Sequence, residues 1–220
     1  MSLIILNGFF AGLLLQVALG PVFFFILNIA LQKTLADGLF AALAVTLVDY
    51  IYISLAILGI GKLLEKKRIK FILGIISSVV LAIFGIVMIT SITEVTANTI
   101  SDGTVNSDYF SSFLSAFILT ISSPLTIVFW TSLFATKAIE KQYIKKQLVL
   151  FGISAGLATL IFLGLSVIVF SFIKLSTPII IIKILNTMVG ILLMIYGVIR
   201  FIKVIKMNNG KLANSEEEIE

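Results

Sequence analysis

The sequence predicts an all-α integral membrane protein whose six transmembrane helices form a 3+3 inverted-topology repeat. Three observations carry this prediction. Of 220 residues, 60% are hydrophobic and only 12% charged, a balance that a soluble domain of this size does not tolerate on its surface. Charge-free runs of the ~20 residues needed to span a bilayer recur along the chain. The basic residues gather in alternate connections between those runs, as topology signals do.

Hydropathy and charge place the first helix near 3–31, a stretch with no charged side chain before Lys33. The basic n-region of a signal peptide is missing and the run is too long for an h-region, so this segment reads as a helix that is kept. A polar turn ending in Asp37-Gly38 precedes the second helix, near 39–61, and a basic loop with Lys62, Lys66, Lys67, Arg68 and Lys70 precedes the third, near 69–92. The connection 93–109 carries Glu94, Asp102 and Asp108 and no Lys or Arg. It divides the chain in two. The fourth helix is placed near 110–136, followed by Lys137, Lys141, Lys145 and Lys146. The fifth lies near 147–173 and the sixth near 177–203, with Arg200, Lys203, Lys206 and Lys211 around and beyond its end.

Thirteen of the 16 basic residues then fall on one face and Lys33, Lys174 and Lys183 on the other. The positive-inside rule puts both termini in the cytoplasm, in a multi-pass protein of the cytoplasmic membrane with the lipid bilayer as its first partner. One membrane domain is expected over 1–204: a first repeat at about 1–92, an outer linker at 93–109 and a second repeat at about 110–204. The charged remainder, 205–220, reads as a solvated, largely disordered cytoplasmic tail. Weak self-similarity supports the division, because Leu19-Gly20-Pro21-Val22 overlays Ser122-Ser123-Pro124-Leu125 and Phe84-Gly85 overlays Tyr196-Gly197. Three spans per half is an odd number, so the halves must enter the membrane with opposite orientations.

Cys and His are both absent, which removes disulfides, thiolate and imidazole metal sites, and nucleophile–imidazole catalysis. No catalytic residue, cofactor or metal site is expected. The net charge of +5 is spread between apolar runs and does not form a patch with interleaved aromatics, so nucleic acid is not an expected partner. No nucleotide-binding motif is present, so work done across the membrane has to draw on an ion gradient, of protons or another coupling ion, or on an unseen partner.

Asp49 stands midway along the second helix, where a lone charge costs ~2.5–3.5 kcal/mol on insertion scales. It needs a partner or a proton. It could carry a proton in one conformation and release it in another, or neutralise a substrate ammonium; the alternative is a carboxyl hydrogen-bonded for packing alone. Pro21 has no N–H for the Val17 carbonyl and Gly20 adds backbone freedom, so the first helix is expected to kink or break there. The new helix start would aim the amides of Val22 and Phe23 at an anion such as a carboxylate. Pro124, with the hydroxyls of Ser122 and Ser123, repeats this arrangement in the fourth helix. For each proline an ordinary kink is the competing reading. Asn186 is a further candidate in the sixth helix. Gln16 and Asn28 read as helix–helix hydrogen-bonding groups, Gly152 and Gly156 as a close-packing pair. Trp130 and the Phe-rich stretch 23–25 read as packing or lipid-facing groups before any gate.

At 19–64 the chain reads LGPVFFFILNIALQKTLADGLFAALAVTLVDYIYISLAILGIGKLL, and this resembles the first two helices of the LysE/RhtB family of amino-acid exporters. The likeness rests on Gly20-Pro21, Asp37-Gly38, Asp49 with Tyr52, and Leu58-Gly59. Ser123-Pro124 with Phe129-Trp130 is similar to the family's Asn-Pro element in the fourth helix, and Gly85 and Gly197 sit where the family has glycines. Here Ser123 stands where the family commonly has Asn, a hydroxyl in place of an amide. The resemblance covers the chain to about residue 204 and implies a secondary exporter of basic or small neutral amino acids, or close derivatives; a homo-oligomer is compatible with it. Two other readings stay open: an exporter of a metal cation or another small solute, and a membrane scaffold or sensor with no cargo. An intramembrane enzyme is disfavoured, because aspartyl chemistry normally needs two carboxylates.

Overall fold

The computed structural model describes residues 1–17, 21–59, 67–101, 108–174 and 179–217, and every regular element in them is helical. In chain order these are α1 (Ser2–Val17), α2 (Pro21–Gln32), α3 (Leu35–Ile57), α4 (Lys67–Ser101), α5 (Tyr109–Ile121), α6 (Pro124–Ile139), α7 (Lys145–Lys174) and α8 (Ile179–Glu217). Among the described residues, three helices are long and apolar enough to cross a membrane, over Leu35–Ile57, Lys145–Ile173 and Lys183–Lys206. The bent pair α5 and α6 makes a fourth when taken as one span. Ser2–Gln16, Val22–Gln32 and Gly74–Val87 are shorter apolar helices.

Large apolar side chains cover the outer surface as well as the interior. Leu43, Leu47, Leu157, Ile161, Ile184 and Ile191 face outward, while Asp37, Asp49, Thr46, Thr120, Thr159 and Ser112 are buried. That is the distribution expected when the surrounding medium is hydrocarbon and polar groups serve as contacts between helices. Many buried hydroxyls close onto their own helix, as Thr46 does on the Ala42 carbonyl (2.8 Å) and Thr120 on that of Ala116 (2.7 Å). Such back-bonding satisfies a hydroxyl without water.

The packing comes in matched pairs. α1 lies along α7 and α5 along α3; α2 also reaches α7, and α6 also reaches α3. α3 crosses α7, and α4 makes its main contact with α8. Close approaches fix the directions. Gly74 faces Val204, Gly85 faces Met194 and Gly197 faces the Ser78 carbonyl, so α4 and α8 are antiparallel. Gly38 faces Val167 and Gly152 faces Ile53, so α3 and α7 are antiparallel too. Gly8 faces Ser154 and Gly12 faces Ala155, which makes α1 and α7 parallel. A Cβ at Gly156 would stand 2.4 Å from the Tyr50 ring, so the Gly152/Gly156 pair serves close packing as its spacing indicates. Two apolar clusters fill the interior: Ile26, Leu119, Leu163 and Leu193 belong to one, and Val48, Trp130, Phe134 and Phe151 to the other.

Several helix ends differ from those expected. α3 starts four residues earlier than hydropathy suggested, because Thr34 and Asp37 form a capping box: the Asp37 amide donates to Thr34 Oγ1 (3.2 Å) and the Thr34 amide to Asp37 Oδ2 (3.2 Å). The box meets two orphan donors of the first turn. Asp37 thus joins Asp49 as a buried acid within a helix, where one had been expected. Ser112 Oγ on α5 donates to Asp37 Oδ1 (2.9 Å) and accepts from Lys33 Nζ (3.0 Å). The far end of α3 closes through Gly59, whose φ of +74° lies in the left-handed region, as helix-ending glycines commonly do. α4 runs on to Ser101, into the expected linker, and α8 to Glu217, so most of the tail read as disordered is helical in backbone. That tail has no Pro to interrupt the helical ladder.

The capping box makes Asp37 a stability residue. Asp37→Ala removes a cap and the acceptor of Ser112, and should cost about 1–3 kcal/mol, read as a drop of several degrees in the unfolding midpoint of the detergent-solubilised protein. An unchanged midpoint would mean that the Lys33–Ser112–Asp37 contacts contribute nothing net.

Candidate functional site

The second break is built as the residue types dictate. α5 ends at Ile121, and Ser122 keeps a helical conformation as its C-cap (φ −82°, ψ −6°). Ser123 turns extended (φ −81°, ψ 105°), as a residue before proline must, and Pro124 opens α6 where a missing N–H costs nothing. The axes of the two helices bend by 60°. Ser123 Oγ accepts from Thr126 Oγ1 (3.0 Å) and caps no backbone amide. The Ile121 carbonyl, released from the helical ladder, accepts from the Tyr52 hydroxyl on α3. So Tyr52, noted from the sequence only through the family likeness, holds the end of α5.

One turn before Tyr52 on α3 lies Asp49, 1% exposed. Both of its oxygens are taken. Trp130 Nε1, on α6, donates to Oδ1 (3.0 Å), and Thr159 Oγ1, on α7, donates to Oδ2 (2.9 Å). Thr159 Oγ1 in turn accepts from Gln16 Nε2 (2.9 Å), in the last turn of α1. A chain of hydrogen bonds therefore joins four helices, with Asp49 between the donors. No Lys or Arg among the described residues pairs with it; the donors are neutral, so they orient the carboxyl without cancelling a charge.

The first break is bounded by two helix ends. α1 ends at Val17 and α2 begins at Pro21. Gly20 lies outside the described residues, and so do the side chains of Pro21, Pro124 and Asn186. Val22 is partly buried against the first apolar cluster. The structure thus brings Asp49 next to the second break, through Trp130 six residues past Pro124 and Tyr52 on Ile121. It reaches the first break through Thr159 and Gln16. Gln16 bonds across helices as expected. Trp130 packs in the interior, as its packing reading had it, and in addition donates its indole N–H to the acid. Thr159 carried no signal in the sequence, being one hydroxyl among many in apolar runs.

Fold and site define a multi-pass helical membrane protein organised around a buried carboxylate beside interrupted helices. Residues 13–203 match the model of the LysE type translocator family, and the chain belongs to that family. It is accordingly a small-solute exporter by family and not an enzyme. No curated protein matches the chain, and no solved structure does.

Proposed function

We propose that the protein is a secondary exporter of basic or small neutral amino acids, or close derivatives, across the cytoplasmic membrane, driven by the proton-motive force. The observation that carries this reading is Asp49: a carboxyl fully buried in a translocator, with no basic partner among the described residues, one hydrogen bond from each of α6 and α7. A group so expensive in hydrocarbon is retained where it handles a cation. Cargo is held near Asp49, with its carboxylate toward the helix starts at Gly20, Pro21 and Val22 or at Ser122, Ser123 and Pro124, and Asn186 contributing from α8. Helix starts of this kind favour anions through free amides and the helix dipole.

The spans are six, counting α1 with α2 and α5 with α6, arranged as inverted repeats with both termini cytoplasmic. The matched packing supports this: α1 on α7 answers α5 on α3, while the α3–α7 and α4–α8 contacts each join an element to its own counterpart. Their parallel and antiparallel directions agree with six alternating crossings. The bias of basic residues supports the orientation.

Efflux from proteoliposomes preloaded with a labelled amino-acid mixture, with and without an imposed pH gradient, tests the reading. The expected result is selective loss of one amino-acid class, faster with the gradient. Retention of every amino acid would turn the reading toward a metal cation, another solute, or a scaffold without cargo.

A further inference from the structure

Gly8, Gly12 and Gln16 recur every four residues, so they share one face of α1. That face rests on α7: the glycines lie against Ser154, Phe151 and Ala155, and Gln16 reaches Thr159 one turn further on. An interface of small residues lets two helices approach closely. The polar contact at its end fixes the register. Thr159 has one hydroxyl proton, and with that proton directed at Asp49 Oδ2 its oxygen is left to accept from the Gln16 amide. The chain therefore has a direction, from α1 through α7 to the acid. Trp130 holds the other carboxyl oxygen from α6.

We propose that Gln16 and Thr159 are positioning residues that tie the seating of α1 on α7 to the state of Asp49. With α1 seated, Oδ2 is engaged by Thr159 and Oδ1 by Trp130, so each oxygen of Asp49 already accepts from the protein. When α1 shifts along or away from α7, the Gln16 amide leaves, the Thr159 hydroxyl is free to turn, and Oδ2 opens to the cargo ammonium or the coupling ion. The inference rests on the reading of Asp49 as the cation-handling group. It adds the means by which the first interrupted helix is coupled to that group.

The protein contains a single Trp, and Trp130 is bonded to Asp49 itself, so its intrinsic emission reports the carboxylate with no added label. The test is Trp130 emission in proteoliposomes, titrated separately with L-lysine, L-threonine and L-leucine, in wild type, Thr159→Val, Thr159→Ser, Gln16→Leu and Asp49→Asn. The expected result is an emission change in wild type with at least one probe, absent in Asp49→Asn. Thr159→Val and Gln16→Leu, which free Oδ2 without any shift of α1, should respond at about tenfold lower concentrations of that probe, and Thr159→Ser, which keeps the hydroxyl, should behave as wild type. A structural role alone would not separate Ser from Val in this way. Wild-type titrations from Thr159→Val and Gln16→Leu would overturn the coupling and leave the Asp49 reading standing. A wild-type chain unresponsive to all three probes would overturn both.

Discussion

Asp49→Asn should insert and fold at the wild-type level and export nothing. The substitution is isosteric, and Asn can still accept from Trp130 Nε1 through its carbonyl oxygen, so the packing around a 1%-exposed group is kept. What changes is the charge and one acceptor. The amide nitrogen cannot accept from the Thr159 hydroxyl, and a neutral amide neither carries a proton nor neutralises an ammonium. Loss of a buried charge partner typically costs about 3–5 kcal/mol, so efflux should fall by at least about 100-fold. The check is efflux at matched protein density, with circular dichroism and the unfolding midpoint as controls. Near-normal export by a well-inserted variant would remove Asp49 from the mechanism and return it to the packing role that the sequence also allows.

The second large effect is expected at Gly8. A Cβ there would stand 2.0 Å from Ser154 Oγ and 2.4 Å from the Phe151 carbonyl oxygen. The first neighbour is a side chain, but the second is the backbone of α7, which has nowhere to go. Gly8→Val therefore has to lift α1 from α7 and, with it, Gln16 from Thr159. Overpacking of this kind costs about 1–3 kcal/mol or more, so the detergent unfolding midpoint should drop and export should be lost. Ser154→Ala in the same chain should not restore either, because the Phe151 carbonyl is still in the way. Recovery by that second change would show that the α1–α7 contact is softer than its geometry indicates.

The parts of the fold governed by local chemistry were legible in the sequence. Pro124 breaks its helix because of what proline lacks, and Ser123 turns extended because it precedes proline; both follow from two adjacent residues. Asp49 stood out because a charge in an apolar run has few explanations. The capping box was legible but unread: Thr34 and Asp37 have the spacing of an N-terminal cap, yet hydropathy alone set the helix start later. The partners of Asp49 were of another kind. Trp130 and Thr159 lie 81 and 110 residues away, and only the packing of α3 against α6 and α7 selects them from many aromatic and hydroxyl residues. Gln16 was visible as a polar group needing a partner, without any indication of which one.

The pairing of α4 with α8 also sets an order of events at the ribosome. Gly85 meets Gly190 and Met194, about a hundred residues later in the chain. At the usual ~5–20 residues per second, α4 waits for roughly 5–20 s in the membrane before its main neighbour is made, and α1 waits longer still for the far part of α7. Neither half can finish alone. α5 and α6 can pack on α3 as they are made, but assembly is completed only when α7 and α8 arrive.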